Sequence, residues 1–126
     1  MADVVKVLRA AELSTFRMTG VFEGSPDDLR DGFIHLSTPS QVAGTLARHF
    51  CDADGTAETA LTALVLDTSK LGENLRWERS RDGAQFPHLY RALVLDDVVA
   101  THEIAIGDDG RHCLAAERHP DDGADT

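Results

Sequence analysis

The ten residues Asp-Gly-Phe-Ile-His-Leu-Ser-Thr-Pro-Ser at positions 31–40 combine a turn, a short strand and the start of a helix. The Asp-Gly pair is a turn signal, and the bulky apolar run after it is typical of a strand. A hydroxyl residue then precedes Pro39, which suits the first helical position because its missing N–H would be unpaired there in any case. His35 is therefore predicted at the end of a strand, beside a helix start, where ligands often bind.

Regular elements of both kinds surround this stretch. The spacing of Val42, Leu46 and Phe50 predicts one apolar stripe on a helix over residues 39–50. Because strands outnumber helices and the helices fall mainly in the N-terminal half, the predicted fold class is α+β. The other predicted elements are a helix at 10–18, ended by Gly20, a turn-rich connection at 21–30 with a capped helical turn at 25–28, and strands at 3–8, 60–66, 75–80, 98–106 and 112–116, the last two forming a hairpin. Pro87 argues against a central strand around residues 85–90.

Composition limits the classes of function. The chain has 126 residues and a net charge of −10, and we expect one domain over 1–117 with a polar, disordered tail at 118–126. Such an acidic protein repels phosphate backbones, so we expect no non-specific nucleic-acid binding. No apolar run approaches a membrane span, and the N-terminus does not resemble a signal peptide. The two cysteines are predicted to be free thiols in a reducing cytoplasm.

Two of the six histidines stand out, because His35 and His88 are both embedded in apolar sequence and followed by leucine. A buried histidine must satisfy both ring nitrogens. His35 and His88 are therefore each interpreted in two ways, as a core residue with polar partners or as a site residue. The sequence has no metal-type pair of ligands and no nucleophile motif. Metal binding is therefore not predicted, and a metal-dependent hydrolase is the weakest functional hypothesis.

A second informative region runs from residue 75 to residue 90. Alternation along a strand sends Arg76 and Glu78 to one face and Trp77 to the other, and it sends His88 and Tyr90 to a common side. A purely structural interpretation is also open: the tryptophan packs in the core, and the charged residues form an ion-pair cluster at the surface. Their joint occurrence in two short motifs favours a site.

Four segments together resemble the bacterial family called domain of unknown function 952. They are Gly-Phe-Ile-His-Leu-Ser at 32–37, Gln-Val at 41–42, Arg-Trp-Glu at 76–78 and Phe-Pro-His-Leu-Tyr at 86–90. The resemblance implies a fold of the ADP-ribosyltransferase type, with two antiparallel sheets and a cleft between them. That superfamily includes NAD-dependent ADP-ribosyltransferases and RNA 2′-phosphotransferases, and the His-Leu-Ser element is similar to one in the latter group.

The implied ligand is NAD or a related nucleotide. His35 and Ser37 suit the ribose hydroxyls and the nicotinamide amide, and Tyr90 or Trp77 suits stacking on the nicotinamide ring. Arginines for the pyrophosphate are available at 48, 76, 79 and 81, and Arg76 is assigned to binding.

The implied chemistry is cleavage of the nicotinamide bond, which develops an oxocarbenium ion beside a carboxylate. Glu78 is the predicted acid with His88 as the second catalytic residue, and Glu103 is an alternative acid that lies outside the motifs. Two functional hypotheses are favoured. The first is an NAD-using transferase or glycohydrolase, and the second is a non-catalytic module on the same fold that binds a nucleotide or a protein.

Overall fold

The computed structural model describes residues 3–80 and 83–114, and the predicted tail at 118–126 lies outside these residues. The elements form an α+β fold in which every strand pair is antiparallel. No helix in the described part of the chain is long and apolar enough to cross a membrane.

The strands of residues 3–80 and 83–114 form three sheets, whereas two were expected from the resemblance. A four-stranded sheet has the order β1-β4-β8-β9, a three-stranded sheet has the order β3-β6-β5, and β2 pairs with β7. The strands are β1 (Asp3–Arg9), β2 (Val21–Phe22), β3 (Ile34–His35), β4 (Leu61–Asp67), β5 (Leu75–Arg79), β6 (Gln85–Leu89), β7 (Leu93–Val94), β8 (Val98–Ile106) and β9 (His112–Leu114).

Within the described residues, four helices and three single 3-10 turns connect the strands, and most of them lie in the N-terminal half, as predicted. The first helix ends where Gly20 adopts a left-handed conformation, with φ of 81°, which confirms the predicted stop. The helices are α1 (Ala10–Thr19), α2 (Pro26–Asp31), α3 (Val42–His49) and α4 (Thr68–Leu71), with 3-10 turns at Pro39–Gln41, Gly72–Asn74 and Leu95–Asp97.

The core has two parts because β1 is buried on both faces. Val5 and Val7 pack with the apolar stripe of α3, including Val42 and Leu46, so the predicted stripe is confirmed. The opposite face of β1 carries Val4, Leu8 and, between them, Lys6, which is only 8% exposed. This second face packs against α1 and the three-stranded sheet.

The largest correction concerns Pro87, which lies in β6, the central strand of its sheet. Its carbonyl oxygen accepts from the Leu36 N–H at 3.0 Å, so its nitrogen also faces the β3 side. Because the nitrogen of Pro87 faces β3, its missing N–H removes no hydrogen bond to β5. The ladder between β3 and β6 already ends at the neighbouring His35–His88 pair. The prediction that proline keeps this segment out of a central strand was wrong because the neighbouring strand is only two residues long.

Two smaller differences lie around α2 and α3. The predicted helix over 39–50 begins with a 3-10 turn before α3 starts at Val42. The connection at 21–30 contains β2 as well as α2, and Ser25 caps α2 through a reciprocal pair of bonds with Asp28, as the predicted capped turn requires. Asp28 also has a role outside this cap, because its carboxylate contacts His35.

Candidate functional site

The three-stranded sheet brings the two motif histidines together. The register of β3 and β6 places His35 opposite His88, and the two ring centroids are 5.6 Å apart at an angle of 70°. The ring of Phe33 stacks on His88 at 4.1 Å and lies 5.3 Å from the ring of Tyr90. These four residues together with Glu78 form what we call the histidine face.

Both ring nitrogens of His35 meet carboxylates. Nδ1 lies 2.7 Å from Oδ1 of Asp28, and Nε2 lies 2.9 Å from Oδ2 of Asp31. Carboxylates only accept hydrogen bonds, so a neutral ring, which has one N–H, satisfies one of these contacts and a doubly protonated ring satisfies both. The His35 side chain is 38% exposed, which leaves part of the ring open to a ligand.

Asp28 is the buried anchor of this arrangement. The residue is 2% exposed, and its two oxygens meet the ring and the backbone N–H of His35, the backbone N–H of Ser25, and Nζ of Lys6 at 2.9 Å. Burial alone raises the pKa of Asp28, but the hydrogen bonds from His35 and the charge of Lys6 outweigh it and hold the pKa well below its usual range. Lys6 also donates to the carbonyl oxygen of His35 at 3.1 Å, so β1, α2 and β3 are tied at one point.

His88 is held in a second carboxylate pair. Its Nδ1 lies 2.7 Å from Oε1 of Glu78, and its side chain is only 10% exposed. The same glutamate oxygen accepts a bond of 2.7 Å from the hydroxyl of Tyr90. The bonds from His88 and Tyr90 lower the pKa of Glu78, and the bond to Glu78 raises the pKa of the Tyr90 phenol. Glu78 is therefore an anion at neutral pH.

One cation borders this pair. The guanidinium of Arg76 lies 5.4 Å from the centre of the Tyr90 ring, within the range of a cation–π interaction. Arg76 is paired in register with His88, so alternation puts both side chains on the same face of the sheet. The arginine is exposed and able to offer its planar set of N–H donors to an anion.

Five of the seven predicted site residues are thus adjacent, and two are elsewhere. Ser37 is 4% exposed and shares a hydrogen bond of 2.7 Å with Thr45, so its hydroxyl is used inside the fold. Trp77 pairs with Pro87 and is the neighbour of Glu78 in β5. Because adjacent side chains of a strand point to opposite faces, the Trp77 side chain projects from the face opposite to that of Glu78.

The alternative acid and Arg79 also lie apart from the histidine face. Glu103 is in β8 of the four-stranded sheet, where it lines an open groove of about 550 Å³ with Arg17 and Leu13. This groove is larger than the space near the histidines, but it contains neither of them. By alternation Arg79 shares the face of Trp77, and Arg81 lies outside the described residues.

Four members of the site were missed from the sequence: Lys6, Asp28, Asp31 and Phe33. Asp28 was recognised only as part of a helix cap, and nothing local reveals that its second role is to hold His35. Asp31 and His35 are four residues apart across a turn, which is a spacing that brings side chains together on a helix but has no general meaning at a helix end. Phe33 is two residues before His35, so strand alternation was the available signal.

The donor set was also compared with that of a metal site. Within residues 3–80 and 83–114, no group of three or more histidine, cysteine or acidic side chains is arranged to hold a metal ion. The Nδ1 atoms of both histidines already face carboxylates, which are partners that orient an imidazole. The arrangement therefore suits hydrogen bonding and proton transfer at Nε2 of His88, whereas Nε2 of His35 is already paired with Asp31.

A family model described as "Protein of unknown function (DUF952)" matches residues 7–101, and this match includes every residue of the histidine face. The chain belongs to this family. No curated protein matches the chain.

Solved structures of one DUF952-like protein are similar to the chain. The crystal structure of protein CC0527 from Caulobacter crescentus is 40% identical, covers 88% of this chain and 93% of its own, and has a TM-score of 0.79. The crystal structure of a double methionine variant of that protein is 39% identical with the same TM-score and coverage. Its solution NMR structure is 40% identical, covers 88% of this chain and 91% of its own, and has a TM-score of 0.74.

Proposed function

We propose that this chain binds NAD or a related nucleotide on the histidine face. The observation that carries the proposal is the pairing of His35 with His88 on adjacent strands, each with its Nδ1 fixed by a carboxylate. The centroids of the two oriented imidazoles are 5.6 Å apart, a separation on the scale of one phosphate or one ribose edge. The ADP-ribosyltransferase resemblance supplies the class of nucleotide.

Arg76 supplies a cation for an anionic ligand beside the histidine face. Its guanidinium offers two parallel donors to a phosphate, and the ring of His35 lies across the sheet from it. Phe33 and Tyr90 supply ring surface beside these two groups, which suits the flat heterocycles of a nucleotide. Ser37 and Trp77 have no part in this proposal, because one is buried and the other lies on the opposite face.

Glu78 and His88 are the residues that we assign to chemistry. When the bond between ribose and nicotinamide breaks, nicotinamide leaves with the bonding electron pair and positive charge develops on the sugar. The anionic Glu78 stabilises that charge, since its carboxylate is already ionised at neutral pH. Water or another acceptor then bonds to the sugar carbon and gives its proton to Nε2 of His88, which has no hydrogen bond among the described residues.

One observation favours a second candidate, a binding module without catalysis. Oε1 of Glu78 already accepts two hydrogen bonds, from His88 and Tyr90, which offset part of its charge. A carboxylate that orients its neighbours in this way is as well suited to hold a binding surface as to stabilise a cation. In that case the same residues bind the nucleotide, and nicotinamide is not released.

Calorimetric titration with NAD tests the binding proposal. We expect His35→Gln and His88→Gln each to weaken binding at least tenfold, or about 1.4 kcal/mol. The matched control is His102→Gln, because His102 lies in β8, in a different sheet from the histidine face. Absence of binding to the natural protein at millimolar NAD refutes the proposal.

Nicotinamide release separates the two candidates once binding is established. The transferase or glycohydrolase reading predicts steady release by the natural chain and loss of it in Glu78→Gln, with Glu103→Gln as the control. If the natural chain binds NAD but releases no nicotinamide with water or added nucleophiles, the binding-module reading stands.

A further inference from the structure

A cavity of about 220 Å³ lies between α3 and the start of β6, next to the histidine face. Phe86 lines the cavity and precedes His88 by two residues in β6, so both side chains are on the same face of the strand. Thr45 also lines the cavity, and its hydroxyl bonds to Ser37 at the end of β3. Cavity and histidine face are therefore neighbouring parts of one surface.

His49 is another residue that lines the cavity. Burial and the neighbouring Arg48 lower the pKa of its ring, and together they outweigh the opposing charge of Asp27. The ring of His49 is consequently neutral at pH 7 and has both a donor and an acceptor nitrogen at the cavity wall.

The residues that line the cavity suit a heteroaromatic ring, and one of them, Arg48, is a cation. None of those in the described part of the chain is acidic, although the chain as a whole carries a charge of −10. Phe86 offers a ring for stacking, and His49 and Ser40 offer polar edges. Gln41 holds the wall closed by donating to the carbonyl oxygen of Gln85 at 2.8 Å.

We propose that this cavity is the base subsite of the nucleotide site, taking the purine ring while the attached phosphate lies against the histidine face. This inference rests on the proposed nucleotide binding and adds where the base is held. The volume supports the division of the ligand, because 220 Å³ is below the range of about 300–1,000 Å³ for whole ligand pockets and suits one ring system.

A substitution at Gly44 can fill the cavity with a side chain. It lies in α3 and lines the cavity, and a Cβ added to it meets no atom within 4 Å. Gly44→Leu places a branched side chain in the base subsite without steric strain at the backbone. Gly44→Ala is the matched control, since both substitutions raise helix propensity by about 1 kcal/mol while alanine adds a single carbon. Thermal unfolding should show both variants to be at least as stable as the natural chain.

The binding probes are AMP, which has a base, and ribose 5-phosphate, which has none. We expect Gly44→Leu to weaken AMP and NAD at least tenfold, to leave ribose 5-phosphate within twofold, and Gly44→Ala to change none of the three. Unchanged AMP affinity in Gly44→Leu overturns the base subsite, and so does an equal loss of AMP and ribose 5-phosphate.

Failure of the subsite is distinguishable from failure of the proposed function. If the natural chain binds ribose 5-phosphate and NAD but binds AMP no more tightly than ribose 5-phosphate, the cavity contributes nothing and only the subsite is refuted. If the natural chain binds neither NAD nor AMP at millimolar concentration, both proposals fall together.

Discussion

Replacing Asp28 by asparagine removes one charge from the most buried part of the site while keeping the shape of the side chain. The asparagine retains one acceptor oxygen, but it no longer offers a charged partner to Lys6, which is 8% exposed, or to the ring of His35. Breaking a buried ion pair by removing one partner costs about 3–5 kcal/mol, because the other charge is left uncompensated. We expect the lower value, about 3 kcal/mol, because one acceptor remains and His35 is partly exposed.

This loss is large relative to the total stability of a domain, which is about 5–15 kcal/mol. For a chain of 126 residues it corresponds to a fall in melting temperature of about 10 °C. The measurement is urea unfolding followed by circular dichroism at neutral pH. The matched control is Asp27→Asn, since Asp27 is exposed and its ion pair with Arg30 lies at the surface, so we expect a change of at most about 0.5 kcal/mol.

The pH dependence supplies the decisive test of the cause. Because the pKa of Asp28 is lower in the folded state than in the unfolded state, it contributes stability above the unfolded value of about 3.9. That contribution is lost as pH falls from about 4 towards the folded pKa. The difference in stability between the natural chain and Asp28→Asn should therefore shrink as the pH falls below about 4. A loss below about 1 kcal/mol at neutral pH, or a difference that does not shrink in acid, refutes the reasoning.

Three further predictions concern other parts of the structure. Glu78→Gln should lower the pKa of the Tyr90 phenol towards its ordinary value of about 10, which alkaline absorbance reports directly because Tyr90 is the single tyrosine; an unchanged titration contradicts the bond between them. Asp97→Asn should cost about 2–4 kcal/mol in chemical unfolding, since Asp97 is 4% exposed and accepts two bonds from Arg91, and a cost near zero contradicts a buried pair. Gly20→Ala should lower stability by about 1–2 kcal/mol in thermal unfolding, because alanine is strained at φ of 81°, and equal stability argues against that backbone conformation.

Much of the fold was predictable because its signals are local. The stripe of α3, the stop of α1 at Gly20 and the alternation of β5 each depend on residues within one element. The position of Pro87 in a central strand was not predictable, since it depends on the length of β3, a different part of the chain. The division of the strands among sheets likewise depends on long-range pairing, which has no local signature.

The candidate site was predictable in the same uneven way. His35, Glu78, His88 and Tyr90 were found from motifs, and strand alternation correctly separated Trp77 from Glu78. The partner of His35 was not found, because Asp28 comes from the cap of another element and meets the histidine only in the folded chain. Pairings that arise from tertiary contact cannot be read from spacing alone.

The position of β5 has a consequence for how the protein behaves in solution. Among the described residues β5 is an edge strand, so one side of its backbone has no strand partner. Alternating charges such as Arg76 and Glu78 discourage edge strands from pairing with other molecules. The side chains assigned to the nucleotide therefore also help keep the chain from self-association. An Arg76 or Glu78 variant loses binding either because a contact with the nucleotide is gone or because the chain self-associates through β5. The mass of the species in solution distinguishes these two causes.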